Sequence, residues 1–437
     1  MIAVDQETSP SLKPLNRLQQ LLRQAWGKAR VRQTAALYGS EIALIVLTFG
    51  TGILNSRFLG ATHYGVYSFV VTVVEVVMIF SGFGVSQSGA RVVALAKDPE
   101  KERSVHGALI VIALVMGACM SVTLILLTPT IELIFKTGQT ESLKVAALIC
   151  FTTPLQLIMM QACRGGNKIG VLASLKILPK ALYLIGGLAM IYWTTLTATA
   201  ALSLYFFGGL LTCVIAMFSL RVRFKSVREH ARTIFEEVKR YGFHSFLGGI
   251  ADNSTFKLNT LLIAGYVSTT WLGFYSIAST LVSPMVSFSV SLSTAVYRSL
   301  TTKDSLDRRV FILNGAFLIV CGSCIALFVK PLISLVLTDQ FLPAAGLVYI
   351  LLFTAFFQGM YQPINAFLGA HGKGKELRNI SFVVCIVNLC VAFALLPKFG
   401  AYGAALGSAL AKFCEFLGNV HYYRKVTRQI AATRSPA

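Results

Sequence analysis

Charged and amide side chains stand inside long apolar stretches of this sequence, at positions where their chemistry needs an explanation. Glu41, Thr48 and Asn55 follow one another at intervals of seven residues, so on a helix they drift only slightly around one face. Asp252 and Asn259 repeat that spacing in a later stretch. A charge in the middle of a bilayer costs roughly 2.5–3.5 kcal/mol on insertion scales, so it usually faces water or a partner. Each stripe is therefore predicted to line a hydrated cavity that suits a hydroxyl-rich ligand.

Further basic and amide residues extend this candidate cavity. Asn253 and Lys257 lie one helical turn apart on another flank of the stretch that holds Asp252, and Lys180 stands within a separate apolar stretch. Arg57 ends the first stretch, and its guanidinium group is suited to bind a diphosphate through paired hydrogen bonds.

Less specific interpretations of these charges stay open. Glu41 and Asp252 lie within about two turns of a stretch end, so they could extend to the membrane surface. Basic residues at stretch ends, Arg57 among them, also serve to set orientation. Lys412 and Glu415 lie three residues apart and are spaced to pair with each other.

The elements that carry these residues are predicted to be membrane-spanning helices. Only 13% of the 437 residues are charged and 55% are hydrophobic, whereas a soluble protein has about 25% charged residues. Apolar runs long enough to cross a bilayer recur along the chain. We predict an all-α integral membrane protein with about twelve spans, which are residues 36–57, 66–88, 107–128, 145–163, 177–193, 198–220, 243–266, 273–296, 310–329, 344–368, 380–396 and 401–420.

The basic residues predict the orientation of these spans. Of the 39 lysines and arginines, 31 fall in segments on one side of the predicted membrane and 5 on the other. Short loops rich in Lys and Arg stay in the cytoplasm, so both termini are predicted to be cytoplasmic. The net charge of +21 therefore needs no nucleic-acid partner to explain it.

The chain repeats itself at about half its length. Tyr64–Ser68 resembles Leu272–Ser276, and Pro154 and Pro363 begin a second pair of similar segments. Two halves of six spans each point the same way, so we predict two lobes related by an axis along the membrane normal, with a central cavity. The predicted organisation is a basic amphipathic segment, an N-terminal lobe, a cytoplasmic linker helix, a C-terminal lobe and a basic cytoplasmic tail, at residues 1–35, 36–220, 221–242, 243–420 and 421–437.

No constellation typical of an enzyme is visible in the sequence. The six histidines are scattered, and there is no phosphate-binding loop, zinc signature or nucleophile motif. Cys321 and Cys324 have a metal-like spacing, but no histidine or second cysteine pair lies near them, so we interpret them as core residues. We predict no enzyme activity and no metal site.

Three motifs carry a resemblance to a known family. The first runs from Leu59-Gly60 through Tyr64-Gly65-Val66-Tyr67 to Phe83-Gly84 and Ala90-Arg91. The others are Leu272–Ala278 and Pro397–Ala405. In this order and spacing they resemble bacterial polysaccharide flippases of the Wzx type, of the multidrug/oligosaccharidyl-lipid/polysaccharide exporter superfamily.

The resemblance implies a function and a location. The expected substrate is undecaprenyl pyrophosphate carrying an oligosaccharide, which alternating access would move from the cytoplasmic to the periplasmic leaflet of the inner membrane. The exported unit would serve O-antigen, capsule or exopolysaccharide synthesis, with a polysaccharide polymerase and chain-length machinery as partners. No cofactor is expected. Transport is expected to be coupled to a proton or sodium gradient, with Glu41 or Asp252 as the proton carrier.

Two other functions stay open from the sequence. Multidrug exporters of the same superfamily also have twelve spans. A membrane-embedded polysaccharide polymerase would act on the same lipid-linked sugar, but such enzymes usually need a large periplasmic loop. The longest predicted outer segments, 129–144 and 330–343, are short and mostly apolar, which disfavours a polymerase.

Overall fold

The structure is a computed structural model that describes residues 29–96, 98–193, 195–242, 246, 257–300 and 303–434. Across these ranges the chain forms helices and turns and no strands. The predicted amphipathic segment lies almost wholly outside the described residues, as do Asp252 and Asn253. The helices agree with the predicted all-α membrane fold.

The N-terminal lobe begins with one long kinked helix, α1 (Ala29–Ser81), followed by six further helices. These are α2 (Val85–Leu95), α3 (Pro99–Phe135), α4 (Thr140–Ile149), α5 (Thr152–Gly165), α6 (Ile169–Trp193) and α7 (Ala198–Ser219). The 45° bend between α4 and α5 divides one predicted span into two pieces.

Helix α1 supplies the first two spans of the lobe. Gly60 interrupts it with φ 69° and ψ 174°, a conformation that costs glycine little because it has no Cβ atom. The leg before Gly60 and the leg after it both contact α6, since Asn55 and Tyr67 each reach Tyr183. Two similar spans therefore lie on either side of Gly60.

The C-terminal lobe repeats this plan. Residues 257–266 are helical and are named α9. They lead into four long helices, α10 (Thr269–Leu300), α11 (Arg308–Val336), α12 (Ala344–Ala370) and α13 (Gly374–Phe399), and then α14 (Ala401–Arg434).

Eight helices of the described ranges are long and apolar enough to cross a membrane, or nine if the bent pair α4–α5 is one span. One of the eight, Ile42–Phe80, contains the Gly60 break and so covers two predicted spans. Helix α14 does not pass this test, because Lys412 and Glu415 lower its mean hydropathy. The predicted span 243–266 is only partly described.

A short helix, α8 (Val227–Glu237), follows the N-terminal lobe inside the predicted linker. Its Ile234 is completely buried among the side chains of α2 and α3, and Glu237 forms an ion pair of 3.1 Å with Arg91. The opposite side of α8 is exposed. The helix is therefore held against the N-terminal lobe at the end of the molecule where the basic loops lie, which we call the basic end.

One hydrogen bond recurs at the same place in both lobes. Tyr183 of α6 donates to Asn55 Oδ1 at 2.5 Å, and Asn259 of α9 donates to Asn388 of α13 at 3.0 Å and to Ser408 at 3.0 Å. Asn259 follows Asn55 by 204 residues and Asn388 follows Tyr183 by 205. A buried amide needs such partners, so the first and fifth spans of each lobe are joined by a polar contact.

We expect Asn259→Ala to destabilise the C-terminal lobe. The change removes two buried hydrogen bonds and leaves the acceptors on Asn388 and Ser408 less satisfied, at a cost of about 1–3 kcal/mol. The measurement is the thermal unfolding midpoint of the purified protein in detergent. Asn379→Ala, at an exposed position of α13, is the matched control and should leave the midpoint unchanged. Equal midpoints for both variants would contradict this role.

Candidate functional site

A cavity of about 430 Å³ lies between the two lobes. Its walls come from the second leg of α1, from α2 and α5, and from the start of the C-terminal lobe. It is partly open, and most of its lining residues lie in the halves of the predicted spans 66–88 and 145–163 that run to the basic end. Its polar lining residues are Glu75, Ser86, Gln87, Thr153, Gln161 and Lys257. Its apolar lining side chains are Met78, Ile79, Leu157 and Phe246.

An ion pair joins the two lobes at this cavity. Lys257 Nζ of α9 lies 2.6 Å from Glu75 Oε2 of α1. The two side chains are 41% and 36% exposed, so both remain accessible from the cavity. A contact between two charged groups at this distance is a charge-assisted hydrogen bond, and here it connects the two lobes.

A second lysine stands near this pair. Lys180 of α6 lies within electrostatic reach of both Glu75 and Lys257. Its Nζ atom is 5.8 Å from the ring centroid of Tyr205, a geometry in which the aromatic face stabilises the cation. Two lysines therefore lie around one carboxylate, and this group of three side chains, Glu75, Lys180 and Lys257, is named the charge triad.

The lobes meet again away from the cavity, through residues of the repeated motif. Thr62 Oγ1 and Thr270 Oγ1 are 3.0 Å apart, and these residues differ by 208 positions. A Cβ atom added to Gly65 would overlap the Thr269 carbonyl, and one added to Gly273 would overlap the Ala61 carbonyl.

These contacts are reciprocal, as expected at a two-fold axis, where residue i meets j and j meets i. We call this set of residues the axial contact. It lies by the Gly60 break and the turn between α9 and α10, at the end opposite the basic end. The repeat detected in the sequence is thus also a contact in space.

The remaining predicted site residues fall into three groups. Thr48 is half-buried and Arg57 is exposed beside the Gly60 break. Glu41 lies on α1, where the structure describes its backbone only. Asn55 and Asn259 are 4% and 0% exposed and bond within their own lobes, so in this conformation they do not line the cavity. Of the predicted set, the structure brings Lys180 and Lys257 together.

Sequence reasoning missed two features of the site. Glu75 stands out in the sequence as an acid within a span, yet no rule of spacing connects it to a lysine 182 residues later. The available signal was that such charges are scarce. Because buried ions usually occur in pairs, each charge within a span was expected to have a partner. The sequence marked Gly65 and Gly273 only as parts of a repeat. Both positions need glycine because the backbones of the two lobes approach closely at the axis.

The candidate pair of Lys412 and Glu415 lies in the packed core of the C-terminal lobe. Lys412 Nζ lies 2.7 Å from Glu415 Oε2 and 3.3 Å from the Tyr361 hydroxyl, with both charged side chains about 5% exposed. The pairing that their spacing indicated is therefore present. Among the described residues no group of three or more His, Cys, Asp or Glu is arranged to hold a metal ion.

An all-helical membrane protein with two similar lobes, an inter-lobe cavity and a closed contact at the opposite end has the architecture of an alternating-access transporter. Residues 31–301 match the family model described as polysaccharide biosynthesis protein, which is more than half of the chain. The protein belongs to this family. No curated protein sequence matches it.

Solved structures share the fold at low identity. A lipid II flippase MurJ in an inward closed conformation matches with a TM-score of 0.72 and 13% identity, over 93% of this chain and 94% of that one. A multidrug resistance MATE family transporter in an inward-facing conformation gives 0.71 and 13%, over 92% and 100%. An outward-facing conformation of such a transporter gives 0.58 and 13%, over 92% and 97%.

The two transporter conformations differ in how well they fit this chain. The inward-facing structure fits this chain better than the outward-facing one, at equal identity. The cavity extends toward the basic end, and the axial contact closes the other end. The cavity and the axial contact therefore lie at opposite ends of the two lobes.

Proposed function

We propose that the protein is a flippase that moves a lipid-linked oligosaccharide, with undecaprenyl pyrophosphate as the carrier, from the cytoplasmic to the periplasmic leaflet of the bacterial inner membrane. The observation that carries this proposal is the charge triad at the inter-lobe cavity of a polysaccharide biosynthesis family protein. A site with two lysines and one acid within the membrane suits a diphosphate, and amide and hydroxyl side chains nearby suit sugar hydroxyls.

The geometry supports a simple sequence of steps. The diphosphate enters from the basic end, where lysines and arginines concentrate, and reaches Lys257 and Lys180. Gln87, Thr153 and Gln161 offer hydrogen bonds to the sugar, while the lipid tail stays in the bilayer. The lobes then separate at the axial contact and approach each other at the basic end, which exposes the substrate to the other side.

Coupling to a proton or sodium gradient is part of this proposal, since one charge crossing 100 mV is worth about 2.3 kcal/mol. Glu41 and Asp252 remain the proposed proton carriers. The completed unit would pass to a polysaccharide polymerase and chain-length machinery. Multidrug export is the second candidate, because solved transporters of that kind share the fold. The lysines of the charge triad disfavour it for cationic drugs.

The test is gene deletion with rescue. We expect completed lipid-linked repeat units to accumulate on the cytoplasmic side in the deletion strain, as measured by their accessibility to a periplasmic glycan-modifying enzyme. The wild type should clear them. Lys257→Ala should lower clearance on the order of tenfold, the size typical of losing one charged contact to a phosphate. Arg57→Ala and Asp252→Ala test the other predicted cavity residues.

Lys330→Ala is the matched control, because Lys330 is exposed outside the cavity. Membrane levels of all variants must be equal. If finished repeat units reach the periplasm without the protein, the flippase proposal is wrong. If Lys257→Ala and Lys330→Ala clear the substrate equally, the cavity is not the path of the substrate.

A further inference from the structure

The inter-lobe ion pair does not follow from the duplication that built the two lobes. Glu75 corresponds to Ser283 at the offset of 208 that relates Gly65 to Gly273. Lys257 corresponds to Ile53 at the offset of 204 that relates Asn55 to Asn259. Neither equivalent residue is charged. The pair is therefore a one-sided addition to a symmetric plan, and its position at the cavity needs a separate explanation.

The Glu75 carboxylate contacts Lys257 as the oxygen of an anionic ligand would. Its carboxylate lies at the cavity surface, 2.6 Å from Lys257 and within electrostatic reach of Lys180. A phosphate oxygen would bind the same ammonium group through the same kind of charge-assisted hydrogen bond. The Glu75 carboxylate of the N-terminal lobe is thus paired with the Lys257 ammonium group of the C-terminal lobe, to which a phosphate would bind.

We propose that Glu75 is an internal competitor for the phosphate group of the substrate, which holds Lys257 and the two lobes together while the cavity is empty. When a prenyl diphosphate binds, it takes over Lys257. Glu75 then turns to Lys180 on its own lobe, so that no charge loses a partner. The contact between the lobes is exchanged for one contact to the substrate and one contact within the N-terminal lobe. This inference rests on the proposed function.

Two consequences follow from this exchange. The lobes lose a direct contact only when a diphosphate is present, so binding itself releases the arrangement in which the axial contact is closed. Neutral lipids and cationic compounds cannot displace Glu75, because they offer Lys257 no negative charge. Glu75 would therefore restrict transport to anionic lipid-linked substrates without contacting them.

The test measures binding of farnesyl diphosphate, a soluble prenyl diphosphate, to the purified protein in detergent. We expect Glu75→Gln to tighten binding on the order of tenfold, the factor expected if the competing pair is formed about nine-tenths of the time. Lys257→Gln should weaken binding. Farnesol and inorganic diphosphate are the comparison ligands, which separate the contribution of the lipid from that of the phosphates.

A distance measurement provides a second readout that does not depend on affinity. Spin labels at the exposed residues His63 and Tyr266, one on each lobe near the axial contact, report whether that end has opened. We expect farnesyl diphosphate to lengthen this distance in part of the wild-type population. Glu75→Gln should show the longer distance without ligand. Glu141→Gln removes one exposed acid elsewhere and should behave as the wild type.

The outcomes separate this inference from the proposed function. If the wild type and Glu75→Gln both fail to bind farnesyl diphosphate, the proposed function is wrong. If the wild type binds it but Glu75→Gln binds no tighter and shows unchanged distances, the competitor role is wrong and the flippase proposal stands. If Glu75→Gln unfolds at a lower temperature than Glu141→Gln, the spin-label distances are measured in membranes. Those distances then decide the competitor role.

Discussion

Replacing Gly65 by alanine is expected to abolish most transport while leaving the protein folded. The new methyl group would overlap the Thr269 carbonyl, and this neighbour is backbone that cannot rotate away. The axial contact would then fail to close, and the state in which it is closed would lose population. A loss of transport on the order of tenfold or more corresponds to about 1.4 kcal/mol or more against that state. Gly273→Ala should have the same effect, because the contact is reciprocal.

Clearance of lipid-linked repeat units in the deletion strain measures this effect. Labelling of a cysteine placed at Thr270 by a membrane-impermeant reagent measures the opening of the axial contact, and it should increase in both glycine variants. Gly170→Ala is the matched control, since Gly170 is helical and an added Cβ atom there meets nothing within 4 Å. Normal clearance and unchanged labelling in Gly65→Ala would show that the axial contact is not required.

Lys412→Met is expected to lower the free energy of unfolding by about 3–5 kcal/mol, the usual cost of removing one member of a buried ion pair. Glu415 would remain buried on α14 without the lysine that lies 2.7 Å from it. Adding Glu415→Leu to Lys412→Met should restore most of the stability, because both charges are then gone. The measurement is the unfolding midpoint in detergent, converted with the unfolding enthalpy.

The chain offers an exposed pair with the same spacing as a control. Lys144 and Glu141 are also three residues apart and 2.9 Å from each other, but their side chains are 55% and 83% exposed. Lys144→Met should therefore change stability by no more than about 1 kcal/mol. Equal effects of Lys144→Met and Lys412→Met would show that burial does not determine the cost of losing the lysine.

The fold was largely predictable because its determinants are local. Apolar length predicts a span, and the repeated motif near Tyr64 and Leu272 predicts two similar lobes. The prediction of one span at 145–163 was less accurate, because α4 and α5 are separated by a bend that composition does not indicate. Gly60 lies between two predicted spans, as expected of a residue that breaks a helix.

The site was less predictable because its determinants are contacts between distant parts of the chain. A seven-residue spacing identified Asn55 and Asn259 as one face of a helix, but it could not say which neighbour that face meets. In the structure that neighbour is a helix of the same lobe. The spacing gave no reason to connect Glu75 with Lys257. The sequence could select charges within spans, but their partners had to come from the three-dimensional arrangement.

The axial contact also bears on how such a chain can arise. In a dimer of identical six-helix proteins, a closed two-fold interface would bring one glycine against its own copy, and each substitution would enter the interface twice. An acid at the position of Glu75 would appear on both subunits, and so would its lysine. Joining the two copies in one polypeptide removes that constraint. The lobes can then keep a shared closing surface while only one of them carries the acid.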